Sequence, residues 1–233
     1  MMSAMKKIGL LGGMSWESSA LYYQLINEGV RDRAGGFHSA PCVMASVDFA
    51  VIEDMQTRGE WERAGELLAQ EASALESIGA ECIVLCTNTM HKVADAVAAA
   101  VSIPMLHLID VTAETIHAAG LGTVALLGTR FTMDDPFYRD RMAEHGLAML
   151  VPTVEERRVI NEVIYGELVL GVIREESRTA YLEIIDRLVD RGAEGIILGC
   201  TEIELLIGPD DCPVPAFPTT EIHARAAVDF ALS

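Results

Sequence analysis

The sequence predicts an α/β protein made of two similar lobes, each a parallel sheet with helices on both faces. Three observations predict this fold class. Short apolar runs alternate with helical patterns along the 233 residues, these runs are apolar almost throughout, and segments of the first half recur in the second. Strands without polar alternation are typical of parallel sheets that are covered on both faces.

The alternation gives eight strands and eight helices. The predicted strands are 6–12, 42–48, 81–86, 105–109, 122–128, 147–151, 194–199 and 214–217. The predicted helices are 16–34, 60–79, 89–101, 112–120, 134–145, 155–171, 176–192 and 220–232.

Local signals mark several boundaries of these elements. Ser15 is the expected N-cap of the first helix, with Glu17 in its first turn. Glycine ends helices because it adopts the left-handed conformation, and four glycines stand at expected ends: Gly79, Gly120, Gly146 and Gly192. Prolines limit two strands, Pro104 before the fourth, and Pro213 and Pro215 around the last.

Two places in the first half where a strand ends and a helix begins, here called corners, have counterparts in the second half. Ile83-Val84-Leu85 recurs as Ile196-Ile197-Leu198 (196 − 83 = 113), and Leu10-Leu11-Gly12 recurs as Leu126-Leu127-Gly128 (126 − 10 = 116). Chance resemblance between two α/β halves is one explanation and duplication is the other. Duplication predicts one lobe from residues 1–104 plus 214–233 and a second from 105–213, facing each other across a cleft. Ligands of parallel sheets bind at the carboxyl ends of strands, where both copied triplets lie.

Composition excludes several functions. The net charge of −18 and the pI near 4.6 argue against nucleic acid or an anionic membrane as a partner. No apolar stretch is long enough for a membrane span. The N-terminus is too short for a signal peptide, and five cysteines without framework spacing favour free thiols. We therefore expect a cytoplasmic protein that acts on a small molecule.

Cys200 is the first candidate for chemistry. It follows a strand and precedes Thr201-Glu202, where a helix is expected to begin. A helix N-terminus lowers the pKa of a thiol, which would favour the reactive thiolate. The alternative is a buried structural cysteine.

Strand register selects the partner of Cys200. Aligning the repeated triplets matches Thr87 with Cys200, whereas Cys86 matches Gly199 and points to the opposite face. Thr87 is therefore expected to face the cleft. Of the remaining thiols, three are interpreted as core residues, namely Cys42, Cys82 and Cys86. Cys212 is interpreted as a loop residue.

Other catalytic classes are weakly supported. The turn Gly12-Gly13-Met14-Ser15 lacks the ending of a phosphate-binding loop. Of only three lysines, Lys92 alone lies near the proposed site, so pyridoxal phosphate is improbable and no cofactor is expected. No metal-binding spacing occurs among the scattered histidines, so no metal is expected.

Asn88, Thr89 and His91 open a helix whose backbone N–H groups suit a carboxylate, with a core or capping role favoured for His91.

The chain resembles the cofactor-independent aspartate/glutamate racemase family. The resemblance rests on Thr87-Asn88-Thr89, Gly199-Cys200-Thr201-Glu202, the opening segment 8–18 and the segment 56–61, and it covers essentially the whole chain. It implies two pseudo-symmetric lobes, a site between them and usually a homodimer. By resemblance, the substrate contacts are Met14, Gln56, Asn88, Thr89 and Thr201, with Glu202 beside the base. Helix capping is an equally reasonable role for Glu202.

One position departs from the family pattern. Most relatives carry cysteine at both catalytic positions, whereas this chain has Thr87 at the first and resembles the branch associated with L-aspartate and L-glutamate. A threonine hydroxyl is almost never ionised near neutral pH, so Cys200 is expected to abstract the proton from the L enantiomer and Thr87 to complete inversion. Relatives often have an arginine near the Gln56 position, and glutamine would hold a carboxylate more weakly.

Two other functions fit the same residues. One is a related cofactor-free enzyme, such as a hydantoin racemase or a maleate isomerase-like protein. The other is a non-catalytic binding protein for acidic metabolites. Aspartate and glutamate are not distinguished by the sequence.

Overall fold

Eight strands form two four-stranded parallel sheets in the computed structural model, which describes residues 5–233. The first sheet has the order β2-β1-β3-β4 and the second the order β6-β5-β7-β8. The strands are β1 Ile8–Gly12, β2 Cys42–Ser46, β3 Cys82–Leu85, β4 Met105–Leu106, β5 Thr123–Gly128, β6 Ala148–Leu150, β7 Gly195–Gly199 and β8 Ala216–Pro218. The predicted α/β class with two parallel sheets is confirmed.

Ten α-helices of the described residues connect and cover these strands. They are α1 Trp16–Ala34, α2 Phe49–Arg58, α3 Trp61–Ser77, α4 Ala94–Ala99, α5 Leu108–Ala118, α6 Arg130–Asp134, α7 Pro136–Glu144, α8 Val154–Gly166, α9 Glu175–Asp190 and α10 Thr219–Leu232. Four 3-10 helices lie at Thr89–Val93, Leu168–Leu170, Thr201–Leu205 and Pro209–Asp211. Within residues 5–233, no helix combines the length and the apolar character that crossing a membrane requires.

The chain divides into two compact units at places that differ from the predicted boundaries. The first unit runs to Leu108 and resumes at His223, and the second is Ile109–Ile222. The prediction put the fourth strand in the second lobe and the last strand in the first. In the structure β4 pairs with β3 and β8 pairs with β7, because the crossovers into these two strands return the chain beside the preceding parallel strand.

The two sheets have the same register. Leu11 lies opposite Leu85 in the first sheet, and Leu127 lies opposite Leu198 in the second. These pairs are related by the offsets of 116 and 113 that the sequence repeat gave. The similarity of the two halves therefore extends from sequence to hydrogen-bonded pairing.

The first sheet is packed on both faces, as its apolar strands predict. Cys82, Val84 and Cys86 belong to one buried cluster, which also contains residues of α1 and α10. Ile83 and Leu85 belong to a second cluster, which contains residues of α2 and α3. The alternation of strand side chains thus assigns each residue of β3 to one of two apolar layers.

Several helices differ from the prediction. The predicted helix 89–101 is the 3-10 helix Thr89–Val93 followed by α4, and α6 was missed. α2 was also missed, although Asp48 caps its N-terminus and Gly59 ends it in the left-handed conformation. α5 begins at Leu108, four residues before the expected start. The Ser15 cap of α1 is confirmed, since its side chain accepts a hydrogen bond from the Ser18 backbone N–H.

Candidate active site

The first of two candidate corners is the segment 86–93, which follows β3. The Thr87 backbone N–H donates to the Leu85 carbonyl at 2.8 Å, and the Cys86 N–H donates to the Leu11 carbonyl at 2.9 Å. Thr87 is half-buried. The chain thus leaves the sheet at Thr87 and enters the 3-10 helix Thr89–Val93.

Cys86 is a core thiol, as strand register predicts. It is fully buried, and its Sγ lies 3.5 Å from the Val84 carbonyl oxygen. Burial raises the pKa of the Cys86 thiol far above its ordinary value. Cys82 is also fully buried, while Cys42 and Cys212 are half-buried, and burial raises the pKa of each of those two to about 11.

The second corner is the segment 199–206, which follows β7. Cys200 has extended backbone and directly precedes the 3-10 helix Thr201–Leu205. Its Sγ donates a hydrogen bond to the Glu202 carboxylate, with a distance of 2.9 Å between Sγ and Oε2. Cys200 and Glu202 therefore form a thiol–carboxylate pair at the carboxyl end of a central strand.

The state of this thiol differs from the sequence expectation. Burial and, after it, the Glu202 carboxylate raise the pKa of Cys200 well above its ordinary value, whereas a helix N-terminus was expected to lower it. The following helix is a five-residue 3-10 segment, too short for a strong dipole. Desolvation and the adjacent negative charge therefore dominate.

Gly199 explains why the second corner has no equivalent of Cys86. A Cβ at this position would lie 2.7 Å from Leu126 Cδ1 and 2.9 Å from the Leu127 carbonyl oxygen. Since real Cβ atoms do not approach so closely, no side chain fits without movement of the neighbouring strand. Under the offset of 113, the position equivalent to Cys200 is Thr87.

The predicted substrate contacts of the first unit lie in buried surroundings. Met14 is 7% exposed within the apolar cluster of α2 and α3, and Gln56 of α2 is 5% exposed. The Gln56 amide Nε2 lies 2.9 Å from Met90 Sδ, and sulfur is a weak acceptor. Asn88 and Thr89 are also buried.

In the second unit, Thr201 and Glu202 directly follow Cys200. The Thr201 hydroxyl lies 3.2 Å from the Thr220 hydroxyl at the start of α10. The predicted residues thus fall into two groups, one at each corner.

Sequence reasoning missed Glu204 at the second corner and gave His91 at the first only a core or capping role. His91 lies four residues after Thr87, and its Nδ1 is 2.7 Å from the Thr87 carbonyl oxygen. Glu204 lies four residues after Cys200, its Oε1 is buried without a hydrogen-bond partner, and burial raises the pKa of its carboxyl from 4.5 to about 7. The signal was present, because the offset of 113 that relates Thr87 to Cys200 also relates His91 to Glu204.

The second corner can move a proton. A carboxylate within hydrogen-bonding distance of a thiol can accept the thiol proton, which generates the nucleophilic or basic thiolate when it is needed. The first corner offers a hydroxyl, which donates more readily than it ionises. Among residues 5–233, no group of three or more histidine, cysteine or carboxylate side chains is arranged to hold a metal ion.

Comparison with known proteins gives a consistent assignment. The family model for Asp/Glu/Hydantoin racemase matches residues 11–227. A crystal structure of a putative Asp/Glu racemase from Yersinia pestis is 50% identical, covers 98% of this chain and 100% of that chain, and superposes with a TM-score of 0.94.

Two further relatives agree with this result. The structure of an aspartate racemase homologue from Pyrococcus horikoshii OT3 is 36% identical, covers 98% of this chain and 100% of that chain, and has a TM-score of 0.87. The broad specificity amino-acid racemase RacX of Bacillus subtilis (strain 168) is 23% identical over 67% of each chain.

Proposed function

Because the chain belongs to the Asp/Glu/Hydantoin racemase family, we propose that it inverts the α-carbon of aspartate or glutamate by proton transfer between two side chains. Cys200 takes the proton from the L enantiomer, and Thr87 lies on the opposite face of the same carbon. The observation that carries the proposal is the equivalence of Thr87 and Cys200 in two sheets of identical register.

The proposed cycle begins at the second corner. The Cys200 thiol passes its proton to Glu202, its hydrogen-bond acceptor at 2.9 Å. The resulting thiolate removes the α-proton of the L substrate and becomes a thiol again. The electron pair stays on the α-carbon as a carbanion, which the substrate carboxylate and ammonium groups help to stabilise.

The cycle ends at the first corner. The Thr87 hydroxyl donates its proton to the other face of the carbanion, which gives the D enantiomer. The Thr87 hydroxyl then recovers a proton from water, and Glu202 releases the proton that it took from Cys200 to the hydroxide that remains, which restores the starting enzyme. A racemisation has an equilibrium constant of one, so kcat/KM is equal in the two directions.

The remaining predicted residues hold the substrate in this proposal. Met14, Gln56, Asn88 and Thr89 contact it from the first corner, and Thr201 does so from the second. These are neutral groups, so substrate carboxylates are bound by hydrogen bonds rather than by an ion pair. A homodimer, a cytoplasmic location and the absence of a cofactor complete the proposal.

Proton exchange in heavy water tests the proposed function. The purified protein is incubated with L-aspartate or L-glutamate in D₂O, and loss of the α-proton signal is followed by NMR, while chiral chromatography measures inversion. We expect deuterium at the α-carbon together with the D enantiomer. Binding of either amino acid without any exchange would show a binding protein instead. Turnover of hydantoins or maleate alone would indicate the related isomerases.

A further inference from the structure

His91 connects two backbone groups of the first unit. Its Nδ1 is 2.7 Å from the Thr87 carbonyl oxygen, and its Nε2 is 3.1 Å from the backbone nitrogen of Leu108, the first residue of α5. His91 is 4% exposed. One imidazole therefore links the corner after β3 to the helix that follows β4.

The two partners fix the tautomer of His91. A carbonyl oxygen can only accept a hydrogen bond and a backbone N–H can only donate one. Nδ1 must therefore carry the proton and donate to Thr87, while Nε2 uses its lone pair to accept from Leu108. Only the neutral ring with its proton on Nδ1 satisfies both contacts.

Neighbouring rings restrict the movement of this imidazole. The ring centroids of His91 and His107 are 4.7 Å apart, and those of His91 and His223 are 5.8 Å apart. His223 is itself fully buried, with its Nδ1 3.0 Å from the Tyr22 hydroxyl and its Nε2 2.8 Å from the Leu106 carbonyl oxygen. His91 is thus a rigid support rather than a mobile group.

The backbone of Thr87 is consequently held on both sides. Its N–H donates to the Leu85 carbonyl within the turn, and its carbonyl accepts from the His91 ring. Fixing both peptide groups fixes the direction of the Cα–Cβ bond. A side chain four residues away thus helps to fix the position of the Thr87 Cβ, to which the hydroxyl is attached.

The second corner uses a different device. The Cys200 carbonyl accepts from the Ile203 backbone N–H at 3.1 Å, so the main chain supplies this bond. Glu204, the equivalent of His91, has a buried Oε1 with no hydrogen-bond partner. Donation to the carbonyl of the central residue therefore comes from a side chain at Thr87 and from the main chain at Cys200.

We propose that His91 is a positioning residue that sets the direction of the Thr87 hydroxyl, an inference that rests on the proposed function. Its hydrogen bond to the Thr87 carbonyl is required for inversion. Exchange of the L α-proton by Cys200 does not depend on it. The ratio of inversion to exchange therefore measures the contribution of His91.

Two variants of nearly equal shape test this role. In His91→Gln the amide can accept from the Leu108 N–H and donate to the Thr87 carbonyl. In His91→Glu the ionised carboxylate can accept from Leu108 but has no proton to donate, so its rates are measured at a pH above the pKa that burial gives this carboxyl. We expect the ratio of inversion to exchange to stay within about 3-fold of wild type in His91→Gln and to fall by about 10- to 100-fold in His91→Glu, since small misplacements of a reacting group have effects of this size.

Controls separate this role from general stability. His38→Leu changes an exposed histidine and should leave both rates unchanged. A merely structural role of His91 would lower exchange and inversion together, in proportion to the folded fraction measured by circular dichroism. His91→Leu should lower the ratio as His91→Glu does, and the Gln–Glu pair suffices if the Leu variant does not fold.

The outcomes distinguish the two proposals. An active wild type whose ratio is unchanged in His91→Glu overturns the positioning role and leaves the racemase assignment intact. A wild type that shows neither exchange nor inversion with either amino acid overturns the proposed function and, with it, the role of His91. A crystal structure of His91→Glu should also show a rotated Thr87 side chain, and an unmoved Thr87 counts against the proposal.

Discussion

The corner after β3 and the corner after β7 share a register but equip their central residues differently. Thr89 stands two residues after Thr87, whereas Glu202 stands two residues after Cys200 and accepts a hydrogen bond from its thiol. The third equivalent pair is His91 and Glu204. Two sheets of equal register thus present different groups. The corner after β3 presents the Thr87 hydroxyl, whose backbone is held by His91, and the corner after β7 presents the Cys200 thiol, which is hydrogen-bonded to Glu202. The difference teaches that the chemistry was specialised through side chains at fixed offsets, without a change in the sheets.

Removing the thiol should have the largest effect. Cys200→Ser takes away the only group of the proposed pair that can become a base, so we expect exchange of the L α-proton to fall by about 10³-fold or more, toward the upper range for acid–base groups. The measurement is NMR-detected exchange in D₂O.

Cys212→Ser is the matched control, because Cys212 is a half-buried thiol near the 3-10 helix Pro209–Asp211. It should exchange at the wild-type rate. Full exchange by Cys200→Ser would mean that the mechanism is wrong even where the activity is right.

The two units should also respond to pH in opposite directions. Burial lowers the pKa of His223 in the first unit from 6.5 to about 4 and raises that of Glu204 in the second from 4.5 to about 7. Between pH 6.5 and 4 His223 is protonated in the unfolded chain but not in the folded one. Acidification through this range therefore lowers the free energy of unfolding. Between pH 4.5 and 7 Glu204 is protonated in the folded chain but not in the unfolded one. A rise in pH through this range therefore lowers the free energy of unfolding. Each difference between the folded and the unfolded pKa corresponds to at most about 3 kcal/mol in the free energy of unfolding.

Urea unfolding between pH 4 and 8 measures these contributions. Relative to wild type, Glu204→Gln should become more stable as pH rises, and His223→Gln should become more stable as pH falls, whatever the change in absolute stability. Glu202 and Glu221 also raise the pKa of Glu204, and His107 also lowers that of His223. Parallel curves for wild type and both variants would contradict the assignment of these two groups.

Changing the hydroxyl should affect inversion alone. Thr87→Ala removes the proposed donor, so we expect inversion to fall by about 10²-fold while exchange of the L α-proton persists. Thr87→Cys supplies a second thiol and should raise turnover of the D substrate. Chiral chromatography and NMR exchange on the same samples give both rates. Equal loss of exchange and inversion in Thr87→Ala, or no gain in Thr87→Cys, would argue that Thr87 does not flank the α-carbon.

Removing the carboxylate beside the thiol should have the smallest effect on rate. Glu202→Gln keeps the shape of the side chain but removes the proton acceptor and the negative charge, so exchange should fall by about tenfold. The same change should lower the pKa of Cys200, because the carboxylate raises it. Alkylation by iodoacetamide in a Cys42→Ser, Cys212→Ser background reports this pKa, because the two other half-buried thiols are then absent. An unchanged profile would show that Glu202 does not control the thiol.

The sequence was sufficient to predict the α/β class, the two parallel sheets and the equivalence of their central strands. The register of the repeated triplets correctly predicted Cys86 as a core thiol, because side chains of a strand alternate between faces. It was insufficient for the boundaries of the two units, since pairing of β4 and β8 depends on where crossovers return the chain. It also gave the wrong direction for the pKa of Cys200, because the Glu202 contact depends on side-chain geometry that a spacing of two residues does not fix.

His91 illustrates a second limit of sequence reasoning. Its core or capping role was favoured, and the Leu108 contact is indeed a cap, which lets α5 begin earlier than the expected residue 112. The second contact, to the Thr87 carbonyl, depends on where α5 starts. Neither contact can be assigned without the other, so the link to Thr87 could not be found from the sequence.

The thiol–carboxylate pair has a consequence for chemical damage. Peroxides oxidise thiolates much faster than thiols, and overoxidised cysteine is not recovered by ordinary reductants. Since burial and Glu202 keep Cys200 protonated at rest, we expect this residue to survive oxidants that inactivate enzymes with a standing thiolate. We therefore expect the carboxylate that is proposed to accept the thiol proton during turnover to protect the same thiol from oxidation between turnovers.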